Sequence, residues 1–379
     1  MIEPRVCYTP HERPLHIPPL PTAKSWRWLR EQCGVKGVRL QYLYDDPRWW
    51  PGAAKAAIDG GMQIHGNFCA NDWMAIAPED VEAAALRWAK IYADPHDPVM
   101  TTVSALNEVG YSFGPDDIAK GGTRDYMKEL VDNFWMPFIR GVRRANPDII
   151  IGGPDAESAD TLQRFVDLVD VDQWNVHPYG EKELADDGDL DYATMDGENG
   201  KPGFRDTIAK RSRLRPLIIS EADLQQLKSA KARERDTIAT CLAQGMTQTA
   251  AEAEGRSARG IATDAEIDRM TAFSIRMRDE FHAPVITFGT AEYFCTRIKC
   301  GLWRGKFPGP PVVAEARQAL GIPDLTAERL IEEYGDTWST WTFPEGGEPV
   351  MSEAGKRLSA VFRPPAPKIN HRTLGRRAS

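Results

Sequence analysis

Residues 101–110, Thr-Thr-Val-Ser-Ala-Leu-Asn-Glu-Val-Gly, climb through small and β-branched side chains and stop on the pair Asn107-Glu108. A second acid, Glu221, ends the apolar run Pro-Leu-Ile-Ile-Ser at 216–220. Burying a carboxylate is costly unless something uses or compensates it, so an acid at the end of a buried strand suggests chemistry. Two carboxyls facing each other across a cleft can divide a cleavage reaction: one protonates the leaving oxygen, and the other attacks or activates water. Glycosidic bonds are broken by such pairs.

Other polar residues close other apolar runs. They are Arg39, His65 with Asn67, Asp155, His177 with Tyr179, Asp223 after Glu221, and a polar and aromatic set from Thr290 to Tyr293. Two of the seven histidines fall in this set.

Something must gather these ends at one place. Short apolar runs predict eight strands, at 5–9, 37–43, 62–67, 100–106, 148–154, 172–178, 216–222 and 284–290. Amphipathic segments between and after them predict helices at 22–33, 51–61, 78–93, 123–145, 159–169, 204–213, 264–281 and 352–362. Pro51 and Pro78 suit first helical positions, and Asp264 and Ser352 suit N-caps. Eight βα units in series close most economically into a (β/α)8 TIM barrel of the α/β class, whose mouth collects the C-terminal ends of all the strands. An open doubly wound sheet is the second choice. The usual reason for that fold is missing, because no GxGxxG follows the first run and there is no P-loop.

The expected organisation is one domain over 1–362. It carries an acidic, Gly-rich loop at 180–203 after strand six, and rim insertions at 224–258 and 291–351. A flexible, basic, Pro-rich tail is expected at 363–379.

Composition narrows the partners. Of 379 residues, 42% are hydrophobic and 27% charged, as in a globular chain with a sizeable core. The net charge of −8 argues against nucleic acid, and no run is apolar enough for a membrane span. The six cysteines are scattered without a CxxC pair and read as buried free thiols. The N-terminal residues lack a basic region followed by an apolar core, so no secretory signal is seen. The expectation is a cytoplasmic protein, or one exported by another route.

Taken in order, Arg39 on strand two, His65 on strand three, Asn107-Glu108 on strand four, His-Pro-Tyr at 177–179 on strand six and Ile-Ser-Glu-Ala-Asp at 219–223 on strand seven form a pattern. It resembles the retaining glycoside hydrolases of clan A, a TIM-barrel superfamily that includes cellulases, mannanases, xylanases, xylosidases and glucosidases. The resemblance runs from residue 5 to 362, through short motifs. It implies that Glu108 is the acid/base, that Asn107 contacts the sugar 2-hydroxyl, and that Glu221 is the nucleophile. Arg39 and Tyr179 would keep Glu221 ionised. Glu108 would hold its proton near neutral pH against a less polar wall and the charge of Glu221. His65, Asn67 and His177 would be sugar-hydroxyl or supporting donors. A carbohydrate substrate is implied, with no cofactor and no metal.

Two departures from that pattern stand out. Where the clan places a Trp after strand eight, this chain has Phe288, Tyr293 and Phe294, so the sugar platform is expected from Tyr293 or from Trp338 and Trp341. The 224–258 insertion is not a general clan feature. Trp49, Trp50, Trp73 and Trp303 are expected in rim loops with Trp338 and Trp341, and Trp26, Trp28, Trp88 and Trp135 in the core. Two other readings remain. One is a non-catalytic carbohydrate-binding or structural barrel, for example in a phage particle. The other is a metal-dependent barrel hydrolase using His65, His177 and the two glutamates as ligands, against which no HxH closes strand one and no Lys ends strand four.

Overall fold

Strands covered on both faces need near-continuous apolar runs, and the runs read above supply them. The computed structural model describes residues 3–8, 23–178 without 46, 48, 49, 71, 97 and 98, then 203–210, 215–222, 228–259, 263–288, 299–304, 323–326, 329, 337–342 and 351–362. Eight parallel strands form a closed barrel in chain order. They are β1 (Glu3–Tyr8), β2 (Gly37–Leu43), β3 (Gln63–Cys69), β4 (Met100–Ala105), β5 (Ile150–Ala156), β6 (Gln173–Val176), β7 (Leu217–Ala222) and β8 (Val285–Phe288). Closure is made by β1 on β8, from Glu3 opposite Val285 to Val6 opposite Phe288.

Helices alternate with the strands. They include α1 (Ala23–Trp28), which continues into a π-helical turn at Leu29–Cys33, then α2 (Trp50–Asp59) and α3 (Pro78–Tyr92). Next come α4 (Tyr126–Leu130), a π-helical turn at Val131–Trp135, α5 (Met136–Ala145) and α6 (Ala159–Val166). Pro78 takes a first-turn position of α3, where a missing N–H costs nothing. The helix Asp264–Asp279 is capped one residue earlier than expected. Thr263 accepts from the Glu266 N–H while Glu266 reaches back to the Thr263 N–H, a reciprocal box that Asp264 cannot make. Ser352 does cap Glu353–Phe362, accepting from the Gly355 N–H at 2.8 Å.

The core between strands and helices is rich in rings. Trp88 lies 5.5 Å from Tyr42, 5.3 Å from Trp50 and 5.4 Å from Phe68 by ring centroids. Trp26, Trp88 and Trp135 are buried as expected. Trp50 and Trp73 are buried too, which corrects their expected place in rim loops: Trp50 opens α2 and turns its ring onto Trp88 and Tyr92. Trp49 lies outside the described residues. Cys33 and Cys69 are buried and in no disulfide, while Cys241 is half-buried.

Between β7 and β8 the expected extra helices are present at Lys228–Ala243 and Gln248–Arg259. Arg233 of the first holds Glu266 at 3.0 Å and so ties the insertion to the helix before β8. After β8, Lys299–Arg304 and Thr337–Thr342 pair as an antiparallel two-stranded sheet. Among the described residues, no helix is long and apolar enough to cross a membrane.

Candidate active site

Parallel register places the polar strand residues side by side. Arg39 lies opposite His65, and Asn67 opposite Ser104. Arg39, His65, Asn67, Ser104, Asp155 and His177 are all buried, the last four fully, so each needs a partner or a neutral form. The partners are one another. Asp155 Oδ2 accepts from Arg39 Nη2 at 3.1 Å, Asn67 Nδ2 at 3.0 Å and Ser104 Oγ at 2.8 Å. His65 Nε2 lies 3.0 Å from Ser104 Oγ. Arg39 Nη2 also donates to Asn107 Oδ1 at 2.8 Å, and Nη1 faces Glu221 Oε2 at 3.6 Å.

The chain leaves β4 in an unusual way. Leu106 and Glu108 have φ of 60° and 48°, and Asp155 at the end of β5 has φ of 56°. These are left-handed conformations that side chains with a Cβ rarely adopt, and they cost energy that the surroundings must over-determine. Here the Glu108 N–H donates to the Asp155 carbonyl at 3.2 Å, tying the two strained ends together. The turn that follows packs on Glu157 and Thr161, closely enough that a Cβ on Gly110 would collide with both side chains.

Glu108 and Glu221 meet at one imidazole. His177 Nδ1 lies 2.8 Å from Glu108 Oε1 and 3.9 Å from Glu221 Oε2, and both glutamate side chains keep some exposure, 26% and 21%. The two carboxylate oxygens cannot be farther apart than those two lengths laid end to end. Burial pulls the His177 proton affinity down, but Glu221 and Glu108 more than offset it, so the imidazolium is favoured. For Glu108, burial acts to raise the pKa. The hydrogen bond and charge of His177, with Arg39, outweigh it and lower the carboxyl below its usual range. This runs against the expectation that Glu108 holds its proton near neutral pH, because His177 and Arg39 lie beside it. His65 behaves oppositely. Burial, with Arg5 and Arg39, outweighs Asp155 and brings it down to about 3, so it is neutral. Glu157 is raised, by burial first and by the charge of Glu108 as well.

The structure thus brings together Arg39, His65, Asn67, Asn107, Glu108, His177 and Glu221. Tyr179 and Tyr293 lie outside the described residues. Trp338 lies in the two-stranded sheet, in register with Trp303. Three members of the cluster had no assigned role in the sequence. Asp155 is a strand-end acid like the glutamates, whereas Ser104, a polar residue inside an apolar run, and Glu157 gave weaker signals. Among the described residues, no three of His, Cys, Asp and Glu are arranged to hold a metal ion.

The chain is similar to solved glycoside hydrolase structures. A thermostable, highly halotolerant GH5 cellulase from an Icelandic hot spring isolate is 13% identical over 98% of this chain and 90% of its own, with a TM-score of 0.47. Endoglucanase Cel5A of Thermotoga maritima is 13% identical over 76% and 90%, with a TM-score of 0.43. A chitinase of Chromobacterium violaceum is 12% identical over 59% and 69%, at 0.32. No family model and no curated protein matches the sequence. Likeness at this level assigns no chemistry, which rests on the geometry of the chain itself.

Proposed function

We propose that this chain is a retaining glycoside hydrolase acting on O-glycosidic bonds of an oligo- or polysaccharide, with Glu221 as nucleophile and Glu108 as acid/base. The observation that carries this reading is the shared His177 Nδ1 between the two carboxylates. Its two distances cap the gap between Glu108 Oε1 and Glu221 Oε2, and the cap admits the ~5 to 5.5 Å of retaining enzymes.

In the first step a Glu221 oxygen bonds to the anomeric carbon as the bond to the leaving oxygen breaks, and Glu108 gives that oxygen its proton. In this reading Glu108 receives that proton from His177, whose imidazolium its two carboxylate neighbours favour, along the 2.8 Å hydrogen bond. In the second step water attacks the anomeric carbon, Glu108 takes a proton from it, and the ester to Glu221 breaks. Arg39 Nη1 faces Glu221 Oε2 at 3.6 Å. Asn107 has its amide oxygen on Arg39, which turns its NH2 to the sugar hydroxyl. Residues 1–362 act as one catalytic domain in this reading, and the segments after β6, β7 and β8 shape the cleft. Tyr179, Tyr293 and Trp338 are its further substrate contacts.

An aryl-glycoside panel with Glu108→Ala and Glu221→Ala tests the assignment. Azide is expected to rescue Glu221→Ala as the inverted glycosyl azide and Glu108→Ala as the retained one. Wild-type rates in both variants place the chemistry elsewhere. Binding without turnover on every glycan selects the non-catalytic module.

A further inference from the structure

Asp155 has no part in the proton and bond steps, yet it contacts Arg39, Asn67, Ser104, His177 and the backbone of Glu108. It is fully buried at the end of β5 in a left-handed conformation. Its Oδ2 gathers donors from β2, β3 and β4, namely Arg39, Asn67 and Ser104. Its Oδ1 lies 3.9 Å from His177 Nε2 on β6, and its carbonyl accepts from the Glu108 N–H. An uncharged filler would avoid the several kcal/mol of desolvation that a buried carboxylate costs, so packing alone does not account for an acid here.

We propose that Asp155 is the positioning residue of this site, fixing the Arg39 guanidinium toward Asn107 and Glu221 and acting on His177 from the ring nitrogen opposite Glu108. The inference rests on the glycosidase reading for its catalytic consequence, but its electrostatic part is independent of that reading. With Nη2 committed to Asp155 and Asn107, the guanidinium plane is set and Nη1 is left facing Glu221. The resulting line of groups is carboxylate, imidazole, carboxylate. The charged and titratable groups facing Asp155 are Arg39 from β2, His65 from β3, Glu108 from the turn after β4, and His177 from β6; Glu221 on β7 acts through Arg39 and His177. Burial alone would protonate Asp155. Arg39, His177 and His65 outweigh it and hold it ionised well below the usual carboxylate range.

The test is Asp155→Asn, which keeps the shape and removes the charge, read by aryl-glycoside kinetics and by ring-nitrogen NMR titration of His177. The expected result is a kcat lower by about tenfold or more with KM within about twofold, and a His177 pKa lower by about 1 or more. An unchanged kcat, or an unchanged His177 titration, overturns the proposal. Should the wild type turn over no glycoside, the glycosidase reading fails, and the NMR titration alone decides whether Asp155 holds His177. If Asp155→Asn does not fold, Ser104→Ala removes one donor from Oδ2 with every charge in place. It is then expected to lower kcat about threefold at constant KM, and wild-type kcat in that variant overturns the proposal.

Discussion

Two histidines in this barrel titrate in opposite senses, and each sense has a measurable outcome. Against the opposing effect of burial, Glu221 and Glu108 raise His177 above the ordinary imidazole range, and His177 lowers Glu108. The basic limb of kcat/KM is therefore expected above pH ~6.5, and His177→Gln should bring it down by about 1 or more, toward a carboxyl's own range. A pH profile with that limb unmoved would detach His177 from the acid. His65 is held down to about 3, so between that pH and its ordinary value the unfolded chain binds a proton that the folded chain refuses. Stability should fall as pH drops below ~6.5, by up to ~1.4 kcal/mol per pH unit from this group, and His65→Asn should flatten that slope. Urea denaturation at several pH values measures both. The positions of Glu108 and Glu221 were legible because each is the first acid after an apolar run. The protonation of Glu108 was not, since the deciding partner, His177, is 69 residues away and only the fold brings it to 2.8 Å.

The turn after β4 is positioned by what it leans on rather than by its own propensities. Asp117 in the same connection accepts from Arg164 of α6 at 2.8 and 3.1 Å, and Gly110 fits against Glu157 and Thr161. Gly110→Ala should therefore displace the turn, costing ~1 to 3 kcal/mol and lowering kcat as Glu108 moves off His177. Thermal melting and aryl-glycoside kinetics read the two effects, and a variant that melts and turns over like the wild type would show the turn to be unconstrained. Elements with strong periodicity were legible nearly to the residue, as β2 and α3 show. What escaped were the π-helical turns at Leu29–Cys33 and Val131–Trp135 and the cap at Thr263. Each depends on hydrogen bonds one residue out of step with the hydrophobic stripe, which that stripe does not encode.

At the scale of the molecule, the aromatic core under β2, β3 and α3 is expected to set stability without touching chemistry. Trp88→Ala should cost ~3 to 5 kcal/mol, lowering the urea midpoint while leaving kcat of the folded fraction unchanged. A small loss would mean that the ring cluster collapses around the gap. The barrel was legible from eight apolar runs in alternation with helices, whereas the burial of Trp50 and Trp73 was not, because an indole serves equally as core and as platform. Closure has one more consequence, in time rather than in space. Glu3 and its neighbours must pair with Val285 and beyond before either edge strand has its second partner. At a synthesis rate of ~5 to 20 residues per second, β1 emerges roughly 15 to 60 seconds before β8. Until then its unpaired edge is a place for a chaperone, a misfolded register or a neighbouring chain to bind.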